Sequence, residues 1–226
     1  QLSKNSSDFF FMRRCVPERA VQTINELCAM RLPQRMGIDA NQIQVLSPHR
    51  RGKTGTLNLN RELQNILNPP SKNKAEKIFR EFIFREGDRV MQIKNNYDTI
   101  WSDIYTGQEG AGVFNGDIGI IESISDDILT VVFDDKRVEY VEEMLAELEP
   151  AFAITVHKAQ GSEYRAVILA AVDVPRTLCS RKILYTAVTR ARELFIIVGD
   201  DDVISQMTAN YRLSKRYSAL RARLIQ

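Results

Sequence analysis

The chain has 226 residues, 44% of them hydrophobic, enough for a substantial core in one or two domains. It has no run of about eighteen apolar residues to cross a membrane, and the stretch from Gln1 to Arg14 lacks the charged start and apolar core of a secretion signal. Cys15, Cys28 and Cys179 are odd in number and without CxxC spacing, which argues for reduced thiols in a cytoplasmic protein and against a disulfide framework or a metal site. The net charge of +2 conceals a segregation: residues 1–84 sum to +7, residues 85–150 to −11 and residues 151–226 to +6. An acidic module inserted in a basic host is the reading, and a basic host suits a polyanionic partner such as nucleic acid. The chain begins without methionine, so we expect it to be a fragment of a longer protein.

Phe9–Met12 is apolar and aromatic and predicts a short buried strand. Pro17 opens a helix at its favoured first-turn position, with Val21, Ile24, Leu27 and Cys28 on the inner face. Ile43–Leu46 predicts a second strand, followed by Ser47, Pro48 and the basic loop His49–Lys53. A helix over Leu57–Leu67 places Leu59, Leu63, Ile66 and Leu67 on one face, and Asn68–Pro69–Pro70 ends it. Residues 71–80 are polar and basic, as expected of an exposed connection.

From Phe82 the period changes to alternation. Four or five short strands in residues 85–150, separated by Asn115–Gly116–Asp117, Asp126–Asp127 and Asp134–Asp135, predict a small β-barrel. Its long loop, Asn95–Gly112, holds Tyr97, Trp101 and Tyr105, which could stack on bases or pack on a neighbouring domain. After Pro150, strands over Phe152–Val156, Val167–Val172 and Leu194–Val198 alternate with a helix over Ser180–Arg192. Gly199–Asp202 then turns the chain out, and a basic amphipathic helix is expected from Tyr211. This pattern predicts a mainly parallel sheet interrupted by the barrel.

The stretch from Ser47 to Thr54 ends in Gly52–Lys53–Thr54 and imitates a phosphate-binding loop. Ser47 stands where such a loop needs glycine, and Pro48 removes a backbone amide that the cradle would use. We therefore expect no self-contained nucleotide site and no ATP hydrolysis by this chain alone.

Two stretches carry the functional reading: Ala153-Ile-Thr-Val-His-Lys-Ala-Gln-Gly-Ser-Glu-Tyr164, and Leu184-Tyr-Thr-Ala-Val-Thr-Arg-Ala-Arg192. Together they resemble motifs V and VI of superfamily-1 DNA helicases, in wording close to the RecD/TraA-like group. The stretch from Leu46 to Pro69 is similar to that group's motif IV region, and the acidic barrel to its inserted Src-homology-3-like module. The resemblance implies a RecA-like second motor domain, in residues 1–84 and 151–226, interrupted by a small all-β barrel over residues 85–150. It further implies a 5′-to-3′ helicase half whose partner in cis, a first motor domain, holds ATP and Mg.

The same resemblance makes Arg190 the arginine finger, a permanently charged fork suited to phosphate oxygens; the alternative is a surface pair with Glu193. It assigns Gly161, Glu163 and Gln160 to the nucleotide side, Glu163 as ribose contact or as a fixture of the loop. Arg50 or Arg51 becomes a second phosphate sensor. Thr155, His157 and Lys53 fall on the single-stranded DNA track, and Asn60 either contacts DNA or caps its helix. Nuclease-complex subunits are possible further partners. A non-enzymatic nucleic-acid-binding scaffold is the rival reading.

Overall fold

The computed structural model describes residues 8–210, so the helix expected from Tyr211 lies outside the described residues. Five strands form a parallel sheet, in the order β1 (Phe9–Arg13), β14 (Ala191–Gly199), β13 (Tyr164–Ala171), β2 (Ile43–Ser47) and β12 (Ala153–Thr155). β2 and the middle of β13 are buried throughout, as strands covered on both faces must be. Each fully buried Ile or Leu there contributes about 1.5–3 kcal/mol. β1 departs from expectation. It is an edge strand, with Phe10 and Met12 packed on the core but Phe9 and Phe11 49% and 37% exposed.

One face of the sheet is covered by a single layer of helices. α1 (Pro17–Glu26) starts at the predicted proline, runs through a π-turn over Leu27–Arg31 into α2 (Leu32–Met36), and stops at Gly37 in the left-handed region. α3 (Thr56–Leu67) buries Leu59 and Leu63, whereas Ile66 opens into a cleft between α1 and α3. On the other face lie α4 (Arg181–Val188) and α5 (Asp201–Ala209), packed through Ile183, Ala187 and Met207. α4 ends four residues earlier than predicted, because the chain enters β14 directly at Ala191. α5 replaces the expected turn: Asp200 caps it by accepting from the Asp202 amide at 3.0 Å.

The alternating segment forms a seven-stranded antiparallel sheet with its own apolar core. In spatial order its strands are β11 (Leu148–Pro150), β5 (Arg89–Gln92), β8 (Ile118–Ile124), β9 (Leu129–Phe133), β10 (Lys136–Tyr140), β6 (Asn96–Asp103) and β7 (Glu109–Val113). Two expectations fail here. Residues 71–80 are not all loop: β3 (Glu76–Phe79) and β4 (Phe82–Arg85) form a hairpin, and Phe79 and Phe82 pack on the barrel core. Most of the predicted aromatic loop is the β6–β7 hairpin, in which Trp101 lies over Gly110 and under the Lys136 ammonium, 4.7 Å from the ring centroid. Trp101 is thus held within the module, while Tyr97 and Tyr105 remain exposed.

Buried polar contacts join the two sheets. Arg89, at the start of β5, donates to the Ile43 and Asn41 carbonyls at 3.0 and 3.3 Å. Gln44 on β2 donates to the Ala151 and Phe152 carbonyls at 3.2 and 3.3 Å. Asp88 accepts from Gln64, Asn68 and the Arg85 amide at 2.5, 2.8 and 2.7 Å, which pins the base of the barrel to the end of α3. Burial raises the Asp88 carboxyl above its ordinary range despite these donors.

Candidate functional site

At the carboxyl end of β2, the loop that imitates a phosphate cradle is closed on itself. The Ser47 hydroxyl lies 2.8 Å from the Thr54 carbonyl and 3.0 Å from that of His49. The amides of Gly55, Thr56 and Leu57 donate to the carbonyls of Gly52, His49 and Arg50. The Thr54 hydroxyl donates to the Val172 carbonyl at 2.7 Å. The Ser47 and Thr54 side chains are therefore engaged inside the turn, and the amides that follow it, Gly55 to Leu57, fold back onto its carbonyls. His49 is buried beneath it, and burial holds its imidazole below the ordinary histidine range, against the pull of Asp173.

Arg50 leaves this loop and bridges Glu149 and Glu81 at 2.9 and 2.8 Å. Glu149 also takes Lys158 at 2.7 Å, so a carboxylate of the barrel region ties the β2 and β12 loops together. Arg51 is exposed, and Lys53 pairs loosely with Glu18, at 3.8 Å. At the end of β12, the Thr155 hydroxyl accepts from the Lys158 amide at 3.4 Å, and His157 is exposed. Thr155, His157, Arg51 and Lys53 thus share the carboxyl end of the sheet, with polar groups open to solvent.

Asn60 is a correction. It lies inside α3, 7% exposed, where it can neither meet DNA nor cap its helix. Its side chain accepts from the Ala153 amide at 2.8 Å and donates to the Ala153 and Pro150 carbonyls at 2.8 and 3.1 Å. β12 is the outer strand, so this amide imitates a neighbouring strand and closes the edge. Sequence reasoning saw a polar residue near a helix start; only the packing reveals the edge it serves.

The opposite end of the sheet gathers the other candidates. The loop after β12 descends to the start of β13, where Tyr164 donates its amide to the Arg190 carbonyl at 2.8 Å. The Arg190 guanidinium donates through Nη1 to the Ser162 carbonyl at 2.9 Å, and Nη2 lies 3.2 Å from the Thr189 hydroxyl. Its Nε is buried without a hydrogen-bond partner. The alternative pair with Glu193 is not formed, because Glu193 binds Arg165 at 2.8 Å. Glu163 binds Arg192 at 3.0 Å, a second bridge between the two motif stretches. Gly161 takes φ +92° beside open space, which leaves its backbone approachable, and Gln160 is exposed.

The two groups of candidates are therefore apart. In register, Ser47 stands one residue beyond the Leu46–Leu169 pair, and Arg190 precedes the Ala191–Tyr164 pair. That separates Arg50 from Arg190 by roughly 20 Å along the strand direction, at about 3.3 Å per residue. The expected pairing of Arg50 or Arg51 with Arg190 at one phosphate finds no support in this arrangement.

A parallel sheet covered by helices on both faces, with an antiparallel module set into it and polar loops at both strand ends, has the architecture of a RecA-like motor domain. Comparison with known proteins gives the same class. Residues 59–133 match the ATP-dependent RecD-like DNA helicase SH3 domain, and residues 150–198 match the UvrD-like helicase C-terminal domain. The chain is 34% identical over 178 residues to the ATP-dependent RecD2 DNA helicase of Deinococcus radiodurans, covering 79% of this chain and 23% of that protein. It is 28% identical over 181 residues to the RecBCD enzyme subunit RecD of Mycolicibacterium smegmatis, covering 80% and 29% respectively. A solved Pif1 helicase from Bacteroides, in complex with ADP-AlF3 and ssDNA, aligns over 93% of this chain and 51% of that one, with 19% identity and a TM-score of 0.47. The chain belongs to the RecD-like superfamily-1 helicases, and spans about a quarter of the length of these curated relatives. No helix among the described residues is long and apolar enough to cross a membrane.

Proposed function

We propose that this chain is the arginine-bearing half of an ATP-dependent DNA helicase motor. One observation carries the reading. Arg190 stands at a solvent-facing corner between the two motif stretches, held by the Ser162 carbonyl, with a buried Nε that lacks an acceptor. An unsatisfied buried donor is costly, so a second arrangement in which the guanidinium meets phosphate oxygens is favoured when a triphosphate arrives. Mg, bound on the partner domain with the phosphates, would neutralise charge there. This chain's part is to add the arginine, worth roughly a thousandfold or more in rate, and to present Gly161 and Glu163 beside it.

When Arg190 moves onto phosphate it releases the Ser162 carbonyl, and the loop from Thr155 to Glu163 is free to shift. That loop links the nucleotide end of the sheet to the end carrying Thr155, His157, Arg51 and Lys53, which we assign to the backbone of single-stranded DNA. A nucleotide-dependent change of grip follows from this linkage, with the 5′-to-3′ polarity that the resemblance implies. The chain alone is inactive, the parent works in the cytoplasm, and association with nuclease subunits extends the proposal, since several relatives are named as RecBCD enzyme subunits.

The test is DNA-stimulated ATPase activity of the full-length parent. Arg190→Ala lowers kcat by about a thousandfold while nucleotide-free binding to single-stranded DNA stays within a few-fold. Unchanged ATPase activity in that variant, with DNA binding intact, defeats the proposal in favour of a scaffold role.

A further inference from the structure

The corner that holds Arg190 carries a second unsatisfied group. Tyr164 opens β13, with its amide on the Arg190 carbonyl at 2.8 Å and Ala191 as its register partner in β14. The two residues are thus fixed side by side where the strands begin. Tyr164 belongs to the apolar core beneath α4 and α5, with Val167 and Ala187. Its hydroxyl is buried without a hydrogen-bond partner among the described residues, and so is Arg190 Nε. Burial raises the Tyr164 phenol above its ordinary range, against the pull of Ser162, Arg89 and Arg190. The hydroxyl therefore keeps its proton near neutral pH, with one hydrogen to give and lone pairs to accept.

The unpaired groups are complementary. At rest the Ser162 carbonyl is taken by Arg190 Nη1 at 2.9 Å, while Nε and the Tyr164 hydroxyl stand idle. When Arg190 turns onto phosphate it gives up that carbonyl, and without a substitute donor a new unpaired group takes the place of the old. Tyr164 is two residues along the chain from Ser162 and beside Arg190. Its hydroxyl can give its hydrogen to the freed carbonyl and accept from Nε in the same arrangement. All three groups are then paired, which removes the cost of leaving them bare. Nη1 and Nη2 are left for phosphate oxygens. Phenylalanine would fill the same apolar space and do neither.

We infer that Tyr164 is a positioning residue for Arg190, its hydroxyl taking over the Ser162 carbonyl and receiving Nε when the guanidinium engages a triphosphate. This role rests on the reading of Arg190 as a phosphate-contacting arginine, and adds the group that holds it in the engaged position.

The experiment is a double-mutant cycle in the full-length parent: wild type, Tyr164→Phe, Arg190→Ala and the two together. DNA-stimulated ATPase kinetics are read beside affinities for ADP with aluminium fluoride and for ADP alone. Tyr164→Phe is expected to lower kcat by about tenfold, the scale of one hydrogen bond to a charged group, with KM for ATP within about twofold. Affinity for ADP with aluminium fluoride falls by about the same factor, and affinity for ADP holds. The melting temperature holds or rises, because the resting fold loses an unpaired hydroxyl and no hydrogen bond. In the Arg190→Ala background the same substitution changes kcat by less than about twofold. Wild-type kcat and aluminium fluoride affinity in Tyr164→Phe, beside a crippled Arg190→Ala, overturn the inference and leave the reading of Arg190 standing. A loss that recurs undiminished in the Arg190→Ala background overturns it too, as does a rate loss matched by a lower melting temperature. Full activity in Arg190→Ala itself removes the reading of Arg190 and this role together.

Discussion

Two corners of the parallel sheet hold residues that look alike in sequence and differ in physical state. The loop from Ser47 to Thr54 is basic and ends in Gly-Lys-Thr, yet its serine and threonine hydroxyls are satisfied within the fold, although Nδ1 of the buried His49 has no hydrogen-bond partner among the described residues. The corner at Ser162 and Arg190 is sparser, and there a buried guanidinium nitrogen has no acceptor. The first is a turn closed by its own hydrogen bonds; the second, on the proposed reading, is completed by a triphosphate. Substitutions at the closed corner should therefore register in stability, and at the open corner in turnover.

The largest expected effect lies at the open corner. Arg190→Ala in the full-length parent lowers kcat for ATP by about a thousandfold, while its unfolding free energy falls by no more than about 1.5 kcal/mol, the net worth of the hydrogen bond to the Ser162 carbonyl. Arg190→Lys keeps the charge but loses the fork and recovers only part of the rate. Steady-state kinetics beside a urea melt separate the two quantities. A variant that lost stability and rate in parallel would erase the contrast between the corners.

Asn60→Ala is the reciprocal case. It leaves the Ala153 amide and carbonyl buried without partners, which costs about 1–3 kcal/mol. Denaturant midpoints should fall accordingly, with DNA-stimulated ATPase retained wherever the protein is folded. Asn60→Asp keeps the acceptor for the amide and sets a carboxylate against the two carbonyls, and so restores little. An unaltered midpoint in the alanine variant would show that the edge of β12 is not closed as described.

His49 gives a smaller, pH-dependent effect. Burial holds its folded-state pKa below the ordinary value of 6.5. The unfolded chain therefore takes up a proton first as pH falls, so His49 favours folding above that value and loses this contribution as pH drops toward the depressed one. Thermal melts of the wild type should decline through this window more steeply than those of His49→Gln. Parallel curves would place the imidazole in contact with water.

The sequence carried the order of the main elements because buried strands such as Val167–Val172 and helical stripes such as Val21, Ile24, Leu27 and Cys28 are periodic. It missed the β3–β4 hairpin because Lys77 and Arg80 interrupt an apolar pattern that becomes continuous only against the barrel core. It misread the β6–β7 hairpin because glycines at 107, 110 and 112 signal loop, whereas Gly110 makes room for Trp101. Motif wording singled out the stretches holding Glu163 and Arg190, and the fold brings them together through the Arg192–Glu163 pair and the Arg190–Ser162 hydrogen bond. The separation of Arg50 from Arg190 was not readable, since strand order and register are long-range properties that no local pattern encodes.

The smallest effect belongs to Arg50, and it bears most directly on how the corners divide the work. Arg50 is 45% exposed at its side chain and pairs with two carboxylates, also partly exposed. Solvent screens such pairs, so Arg50→Ala should cost no more than about 1 kcal/mol of stability. It stands roughly 20 Å from Arg190 along the strands, and on the proposed division it takes no part in phosphate chemistry. The variant's kcat should therefore stay within about threefold of wild type, less than 1 kcal/mol of barrel-to-motor coupling, with the effect fading as salt is raised. A hundredfold loss that persisted in high salt would put Arg50 on the triphosphate beside Arg190. The β2 loop would then have to swing away from Glu149 and Glu81 during turnover, and the closed corner would be closed only at rest.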